Sequence, residues 1–302
     1  MARPLTPAVD GERREYTGRA GPQSCYVGGP RQGAPLLLVH SINAAASAYE
    51  VKPVYDWAVA RGRRVYAPDL PGFGFSDRSA RDYGIRLYTD AVLDALDQIA
   101  ADTGPKAVDA LALSLGSEFL ARAAVEAPGR LRSLALVTPT GFSRGSDRLR
   151  GAPGTSRELP GLRVTFDGSV SGPLWGQALF DLLVSRRSIR YFLQRTYGGQ
   201  DIDAGLWEYA YLTAHQPGAR HAPFAFLSAR LFARDIRAIY EQLSLPVWVP
   251  HATRGDFRDF STSGWASARA NWRFLPMPTG AMPHFEQPAQ FFAHYEAFLA
   301  QH

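Results

Sequence analysis

One stretch of the sequence, residues 108–120, restricts the possible folds more than any other. It has the sequence VDALALSLGSEFL, an apolar strand-like run that leads into an alanine-rich run with helical spacing. Between the two lies a turn of the form small-x-Ser-x-small, in which Ala112 and Gly116 flank Ser114. A strand that turns this tightly into a helix strains the serine backbone and exposes its hydroxyl group, and only small neighbours avoid collision.

Two roles are open to this serine. The N-terminus of the following helix favours developing negative charge, so the turn is suited to a nucleophile. A serine before a helix is also a common N-cap with a structural role. Because short motifs recur by chance, the neighbouring segments must decide between the two roles.

Composition limits the class of protein. The chain has 302 residues, of which 46% are hydrophobic and 20% charged, so it is expected to be globular, as one large domain or a core with an insertion. It has no run of about 18 apolar residues, which predicts no membrane span.

A single cysteine, Cys25, excludes an internal disulfide and a cysteine-built metal site. The single cysteine and a polar N-terminus without a secretory signal predict a cytoplasmic location. The arginines are scattered, so no nucleic-acid partner is expected.

Strand-like and helical runs alternate along the chain. Residues 1–14 are predicted to be a loose, flexible arm, and residues 15–17 and 24–27 an antiparallel edge. The apolar, strand-like runs that follow are 35–40, 64–69, 108–113, 131–137, 246–250 and 272–275. Helical patterns separate most of them, which predicts an α/β fold with a mostly parallel central sheet and helices on both faces.

The alternation stops between residues 143 and 243. Residues 144–163 are rich in Gly, Pro, Ser and Arg, and helical patterns with many aromatic residues follow without a strand. We therefore predict a helical cap over 143–243, inserted into a core formed by 15–142 and 244–302. The aromatic side chains of the cap indicate a mostly apolar substrate.

With these segments placed, the chain resembles the α/β-hydrolase superfamily from about Glu15 onwards. Three motifs carry the resemblance: the apolar strand that ends in His40, the loop DLPGFGFS at 69–76, and the turn around Ser114. The resemblance implies a nucleophilic serine, an acid and a histidine in that chain order, with a helical lid.

The acid and the base are expected in loops after the last two strands. Asp256 lies where the acid of the family usually falls, and Asp259 is the alternative. Many family members carry Gly-His before the closing helix, but here Ala281 follows Gly280. His284 is one helical turn further on and is the predicted base. The other histidines are less well placed: His40, His215, His221, His251, His294 and His302.

The oxyanion hole is expected to use two backbone N–H groups, those of Leu115 and Ile42. His40 is expected to support this loop rather than to transfer protons. Family members usually have glycine at the position of Ser41, so Ser41 or Asn43 could add side-chain hydrogen bonds.

These residues predict a serine hydrolase that cleaves an apolar ester through Ser114, His284 and Asp256, as a carboxylesterase or a lipase does. No metal and no organic cofactor are required. The departures at Ala281 and Ser41 keep a second hypothesis open, a non-hydrolytic protein of the same fold: a lyase, a cyclase or a ligand-binding pseudo-enzyme.

Overall fold

The computed structural model describes residues 3–148, 150–156 and 173–302. Its centre is an eight-stranded sheet with the strand order β1-β2-β4-β3-β5-β6-β7-β8. Strand β2 is antiparallel to both of its neighbours, and β3 to β8 are parallel. The strands are β1 Glu12–Gly18, β2 Gly21–Gly28, β3 Pro35–Val39, β4 Arg64–Asp69, β5 Val108–Leu113, β6 Leu131–Val137, β7 Val247–Ala252 and β8 Trp272–Met277. The predicted mostly parallel sheet and its antiparallel edge are confirmed.

Helices cover both faces of this sheet, and none in the described ranges is long and apolar enough to cross a membrane. A 3₁₀ helix spans Ala48–Val51. The α-helices are α1 Lys52–Ala60, α2 Ile85–Thr103, α3 Gly116–Glu126, α4 Arg144–Arg148, α5 Pro173–Leu183, α6 Arg186–Tyr197, α7 Ala204–Ala214, α8 His221–Leu227, α9 Ile236–Gln242, α10 Gly264–Ser267, α11 Pro283–Glu286 and α12 Pro288–Leu299.

Strand β3 shows why the central strands are apolar without interruption. Leu36 and Leu38 pack into the cluster formed with α1 and α12, whereas Leu37 and Val39 pack into the cluster formed with α2, α3 and α9. All four side chains are fully buried. Because successive side chains of a strand alternate between the faces, a strand covered on both sides needs an apolar residue at every position.

The elements described between β6 and β7 are the helices α4 to α9. A separate apolar cluster lies among them, with Phe180, Val184 and Ile189 packed against Ala210 and Ala214. Residues 149 and 157–172 of the predicted cap lie outside the described residues. The division of the chain into a core and a cap at 143 and 243 stays a prediction.

Part of the predicted flexible arm, residues 1–14, packs against the sheet. Ala8 and Val9 are 2% exposed, and the Ala8 N–H donates to the Tyr26 hydroxyl at 3.1 Å. The Tyr209 hydroxyl of α7 donates to a backbone carbonyl of the same segment. The predicted flexible arm is therefore wrong for these residues, because their small apolar side chains pack on the sheet and on α7.

Candidate active site

Ser114 lies in a strained turn at the carboxyl end of β5. Its φ angle is +48°. A non-glycine residue in this region costs about 1–3 kcal/mol of conformational free energy, so the surrounding structure must hold it there. The Ser114 N–H donates to the Val137 carbonyl of β6 at 3.0 Å. A Cβ atom on Gly116 would lie 2.5 Å from the His40 carbonyl oxygen, so glycine is needed there. The N-cap position of α3 is Leu115 rather than Ser114, so the serine is not a helix cap.

His40 is a buried structural residue at the end of β3. The Leu70 N–H donates to its Nε2 at 2.9 Å, so Nδ1 carries the proton and donates to the Ser41 carbonyl at 2.6 Å. Burial lowers the pKa of His40 to about 4, which keeps the ring neutral. The two ring nitrogens therefore join the loop after β3 to the loop after β4.

The loop after β3 is held by the carboxylate of Glu50. The Ser41 N–H donates to the Glu50 carboxylate at 2.8 Å, and the Asn43 side-chain amide donates to Glu50 at 2.7 Å. The N–H groups of Ile42 and Leu115 have no hydrogen-bond acceptor within the described ranges. Both residues are almost completely buried. The role of these two groups as an oxyanion hole stays a prediction.

Asp256 does not contact a histidine. It follows β7, and its carboxylate forms an ion pair with Arg195 in the last turn of α6. The alternative acid, Asp259, accepts from the Ser261 N–H at 3.1 Å and from the Ser261 hydroxyl at 2.6 Å, which closes a local turn.

His284 is fully buried in α11, and neither ring nitrogen is hydrogen-bonded to a carboxylate. Its Nε2 donates to the backbone carbonyl of Glu50 at 2.7 Å, and its Nδ1 has no hydrogen-bond partner. Burial lowers the pKa of His284 to about 4. A base for Ser114 would need Nε2 toward the serine and Nδ1 toward an acid. The predicted hydrogen-bonded pair of Asp256 and His284 is therefore wrong, because each group is committed to another partner.

The last turn of α6 joins the two loops in which the acid and the base were expected. The Arg195 carbonyl accepts from the Asp256 N–H at 3.2 Å, and the Thr196 carbonyl accepts from the Ala281 N–H at 2.8 Å. A Cβ atom on Gly280 would lie 2.2 Å from the Thr196 oxygen. This close backbone contact joins α6 to the place where many family members carry their histidine.

No imidazole in the described ranges is hydrogen-bonded to Ser114. His251, at the end of β7, stacks on the Phe260 ring with centroids 4.2 Å apart, and burial lowers its pKa. His215 is bonded to the Tyr211 carbonyl within α7. The seven histidines of the chain are His40, His215, His221, His251, His284, His294 and His302. The structure therefore retains the strained serine and its free N–H groups but assembles no catalytic triad.

A cavity of about 280 Å³ lies at the carboxyl ends of β6 and β7, with Thr138 and Asp256 in its walls. Ser114, Leu115 and Ile42 are not among its lining residues. The aromatic residues that line it are Phe142, Phe232, Phe257 and Phe260. Within the described residues, no group of three or more His, Cys, Asp or Glu side chains is arranged to hold a metal ion.

Sequence reasoning missed two residues that define this site. Glu50 stands alone as a carboxylate in the otherwise uncharged segment SAYEV, 47–51, which is a signal that could have identified it. Arg195 gives no such signal, because it is one of several arginines on α6 and its partner lies 61 residues away.

Comparison with known proteins gives partial sequence matches. Over 137 residues the chain is 30% identical to the 2-hydroxy-6-oxo-2,4-heptadienoate hydrolase of Pseudomonas putida. This match covers 45% of this chain and 48% of that protein. Over 141 residues it is 30% identical to a haloalkane dehalogenase of Psychrobacter cryohalolentis, with 45% of each chain covered. The chain thus matches about half the length of these curated relatives.

Solved structures match over nearly the whole chain. A probable hydrolytic enzyme of Pseudomonas aeruginosa superposes with a TM-score of 0.74 at 18% identity, covering 98% of this chain and 96% of the other. At these identities the likeness concerns the fold alone. The sequence model of the α/β-hydrolase fold family matches residues 34–223, more than half of the chain. The chain therefore belongs to the α/β-hydrolase fold family.

Proposed function

We propose that this protein binds an ester or a related carbonyl compound at Ser114 and hydrolyses it slowly, without a Ser–His–Asp triad. The proposal is carried by three observations that concern one turn. Ser114 is strained at φ +48°, and the Ile42 and Leu115 N–H groups have no acceptor in the described ranges. No imidazole is hydrogen-bonded to the serine, and that of His284 is bonded to Glu50 instead. Membership of a family with many hydrolases supports the class of reaction.

In the proposed reaction the carbonyl oxygen of the substrate accepts from the Leu115 and Ile42 N–H groups. The Ser114 Oγ attacks the carbonyl carbon, and its proton passes to solvent water. The tetrahedral intermediate expels the alkoxide, which takes a proton from water to become the alcohol. This leaves an acyl-serine, which water hydrolyses to the acid and free Ser114. Without a base the Ser114 hydroxyl is a weak nucleophile, so acyl transfer through it is expected to be slow.

The proposed substrate has an apolar part. Phe142, Phe232 and Phe260 line the cavity at the carboxyl ends of β6 and β7, and aromatic walls favour apolar or aromatic groups. The names of the relatives, a dienoate hydrolase and a dehalogenase, support small organic substrates. The buried free thiol of Cys25 supports the cytoplasmic location that the sequence predicts, because a reduced cysteine suits a reducing compartment.

A second candidate function is binding of a carbonyl ligand without turnover. Ala281 favours it, because the position lacks an imidazole and its N–H is bonded to the end of α6. The same N–H groups would then hold the ligand oxygen, and Ser114 would remain unmodified.

The test combines a fluorophosphonate label with a panel of p-nitrophenyl esters of increasing chain length. We expect slow labelling and slow turnover, both lost in Ser114→Ala. Ser267→Ala removes an exposed serine of α10 and is the control that should change neither. Ligand binding without labelling or turnover would favour the second candidate. Turnover retained in Ser114→Ala would refute both, since each places the carbonyl group at this residue.

A further inference from the structure

We propose that Glu50 and His284 are positioning residues, which hold residues 40–45 so that the Ile42 N–H stays available to a carbonyl oxygen at Ser114. Residues 40–45 form the oxyanion loop. The inference rests on the proposed function and assigns His284 a role other than that of a base.

Glu50 contacts the oxyanion loop with both oxygens of its carboxylate. Oε2 accepts from the Ser41 N–H at 2.8 Å, and Oε1 accepts from the Asn43 Nδ2 at 2.7 Å. Glu50 is 4% exposed and lies in the 3₁₀ helix that follows the loop. One side chain therefore fixes the residues on both sides of Ile42 and leaves the N–H between them without an acceptor in the described ranges.

The side chains of the loop complete this arrangement. Asn43 Nδ2 also donates to the Ser41 hydroxyl at 2.9 Å, and Asn43 Oδ1 accepts from the Ala45 N–H at 2.8 Å. The Ser41 hydroxyl thus has a defined partner, which gives a physical reason for serine where family members usually have glycine. Glu50, Asn43 and Ser41 form one connected set of hydrogen bonds.

His284 holds Glu50 from the opposite side. Its Nε2–H donates to the Glu50 backbone carbonyl at 2.7 Å. The ring is fully buried, with the Phe285 and Phe291 rings at centroid distances of 5.0 and 5.6 Å. A buried hydrogen bond with a fixed donor restricts the backbone of Glu50, and with it the carboxylate that carries the loop.

The chemistry of Glu50 argues that more than packing is involved. Burial raises the pKa of Glu50, while donation from Ser41 and Asn43 opposes that effect. No cation in the described ranges forms an ion pair with this carboxylate. An unpaired buried carboxylate is costly to stability compared with an apolar side chain. Such a group is expected where it positions a reacting atom, because N–H groups fixed in advance stabilise the charge that develops in the transition state.

A positioning role predicts a particular kinetic change. Displacing one oxyanion donor affects the transition state more than the ground state, so kcat should fall while KM changes little. In enzymes where one such donor is removed, the loss in kcat is about 10²–10³. A role in stability alone would lower the midpoint of thermal unfolding and leave kcat of the folded protein unchanged.

The experiment measures kcat, KM and thermal unfolding for two variants of Glu50. Glu50→Leu removes both acceptors, and we expect kcat for a p-nitrophenyl ester to fall about 10²-fold with KM altered less than about threefold. Glu50→Gln retains an acceptor for the Ser41 N–H and should recover most of that loss. His284→Leu should lower kcat in the same way, and the wild type should show no imidazole limb near pH 6.5 in kcat.

Asp94→Asn is the matched control. Asp94 is also a buried carboxylate that accepts a backbone N–H, that of Ala20 at 2.9 Å, but it lies on α2 beside β1. This variant should lower stability and leave kcat unchanged. If Glu50→Leu behaves like Asp94→Asn, the positioning role is overturned.

Hydrogen–deuterium exchange separates this inference from the proposed function. In Glu50→Leu the amides of residues 40–45 should exchange at least about tenfold faster than in the wild type, and in Glu50→Gln they should not. Turnover independent of Ser114 would refute the proposed function alone. Unchanged exchange in Glu50→Leu would refute the role of Glu50, whatever the activity of the wild type.

Discussion

Replacing His284 by asparagine should make folding less sensitive to acid. The buried imidazole has a pKa of about 4 in the folded protein, against 6.5 for an ordinary histidine. Between these values the unfolded chain binds a proton at this residue and the folded chain does not. The free energy of unfolding therefore falls as the pH decreases through this window. Asparagine does not titrate and should remove this part of the pH dependence, while its side-chain N–H can still donate toward Glu50.

The size of the effect follows from the two pKa values. At pH 7.5 the group contributes almost nothing, because imidazole is neutral in both states. At pH 5 the unfolded histidine is mostly protonated and the folded one is not, which lowers the free energy of unfolding by about 2 kcal/mol. Well below pH 4 the loss approaches about 3 kcal/mol. A cavity left by the substitution lowers stability at every pH, so the change between pH 7.5 and pH 5 is the quantity to compare.

Other buried groups contribute to the wild-type curve. Burial lowers the pKa of His40 to about 4, so its effect has the same sign as that of His284. Burial raises the pKa of the Glu50 and Asp69 carboxyls, so these groups bind protons more readily in the folded state and oppose the loss. The difference between the wild type and His284→Asn removes these common contributions when the sites are independent.

Urea unfolding followed by tryptophan fluorescence at pH 7.5, 6 and 5 measures the effect. His302→Asn removes an exposed histidine at the end of the chain and should follow the wild type. If the wild type and His284→Asn lose the same free energy between pH 7.5 and pH 5, within about 0.5 kcal/mol, the reasoning fails. His284 would then not be held neutral, and its role as a base would have to be considered again.

Two further predictions concern the turn and the missing base. Gly116→Ala should lower the free energy of unfolding by about 1–3 kcal/mol, because its Cβ would lie 2.5 Å from the His40 oxygen. Gly264→Ala, whose Cβ meets nothing within 4 Å, should change it by less than about 0.5 kcal/mol, and equal losses in urea unfolding would contradict the geometry. The double variant Ala281→His, Arg195→Ala places an imidazole at position 281 and frees Asp256 from its ion pair. It should raise ester turnover about 10²-fold. No gain over either single variant would show that a base is not what limits the rate.

The sequence alone determined the layers of the fold and the turn around Ser114. Apolar runs such as 35–40 and 131–137 predict buried strands because a strand covered on both faces needs apolar side chains at successive positions. The small residues around Ser114 predict a tight turn because the backbone conformation depends on immediate neighbours, and the φ angle of +48° agrees. These are local effects, so they can be recognised without knowing which distant segments meet.

Only the tertiary structure decided which polar groups pair. His284 is bonded to Glu50, 234 residues away, and Asp256 to Arg195, 61 residues away. The spacing of His284 after Gly280 permitted a base, but the direction of the imidazole depends on how α11 packs against α1 and the 3₁₀ helix that contains Glu50. A buried polar atom takes whichever partner the packing brings within about 3 Å, and that choice is made by the whole fold rather than by the neighbouring sequence.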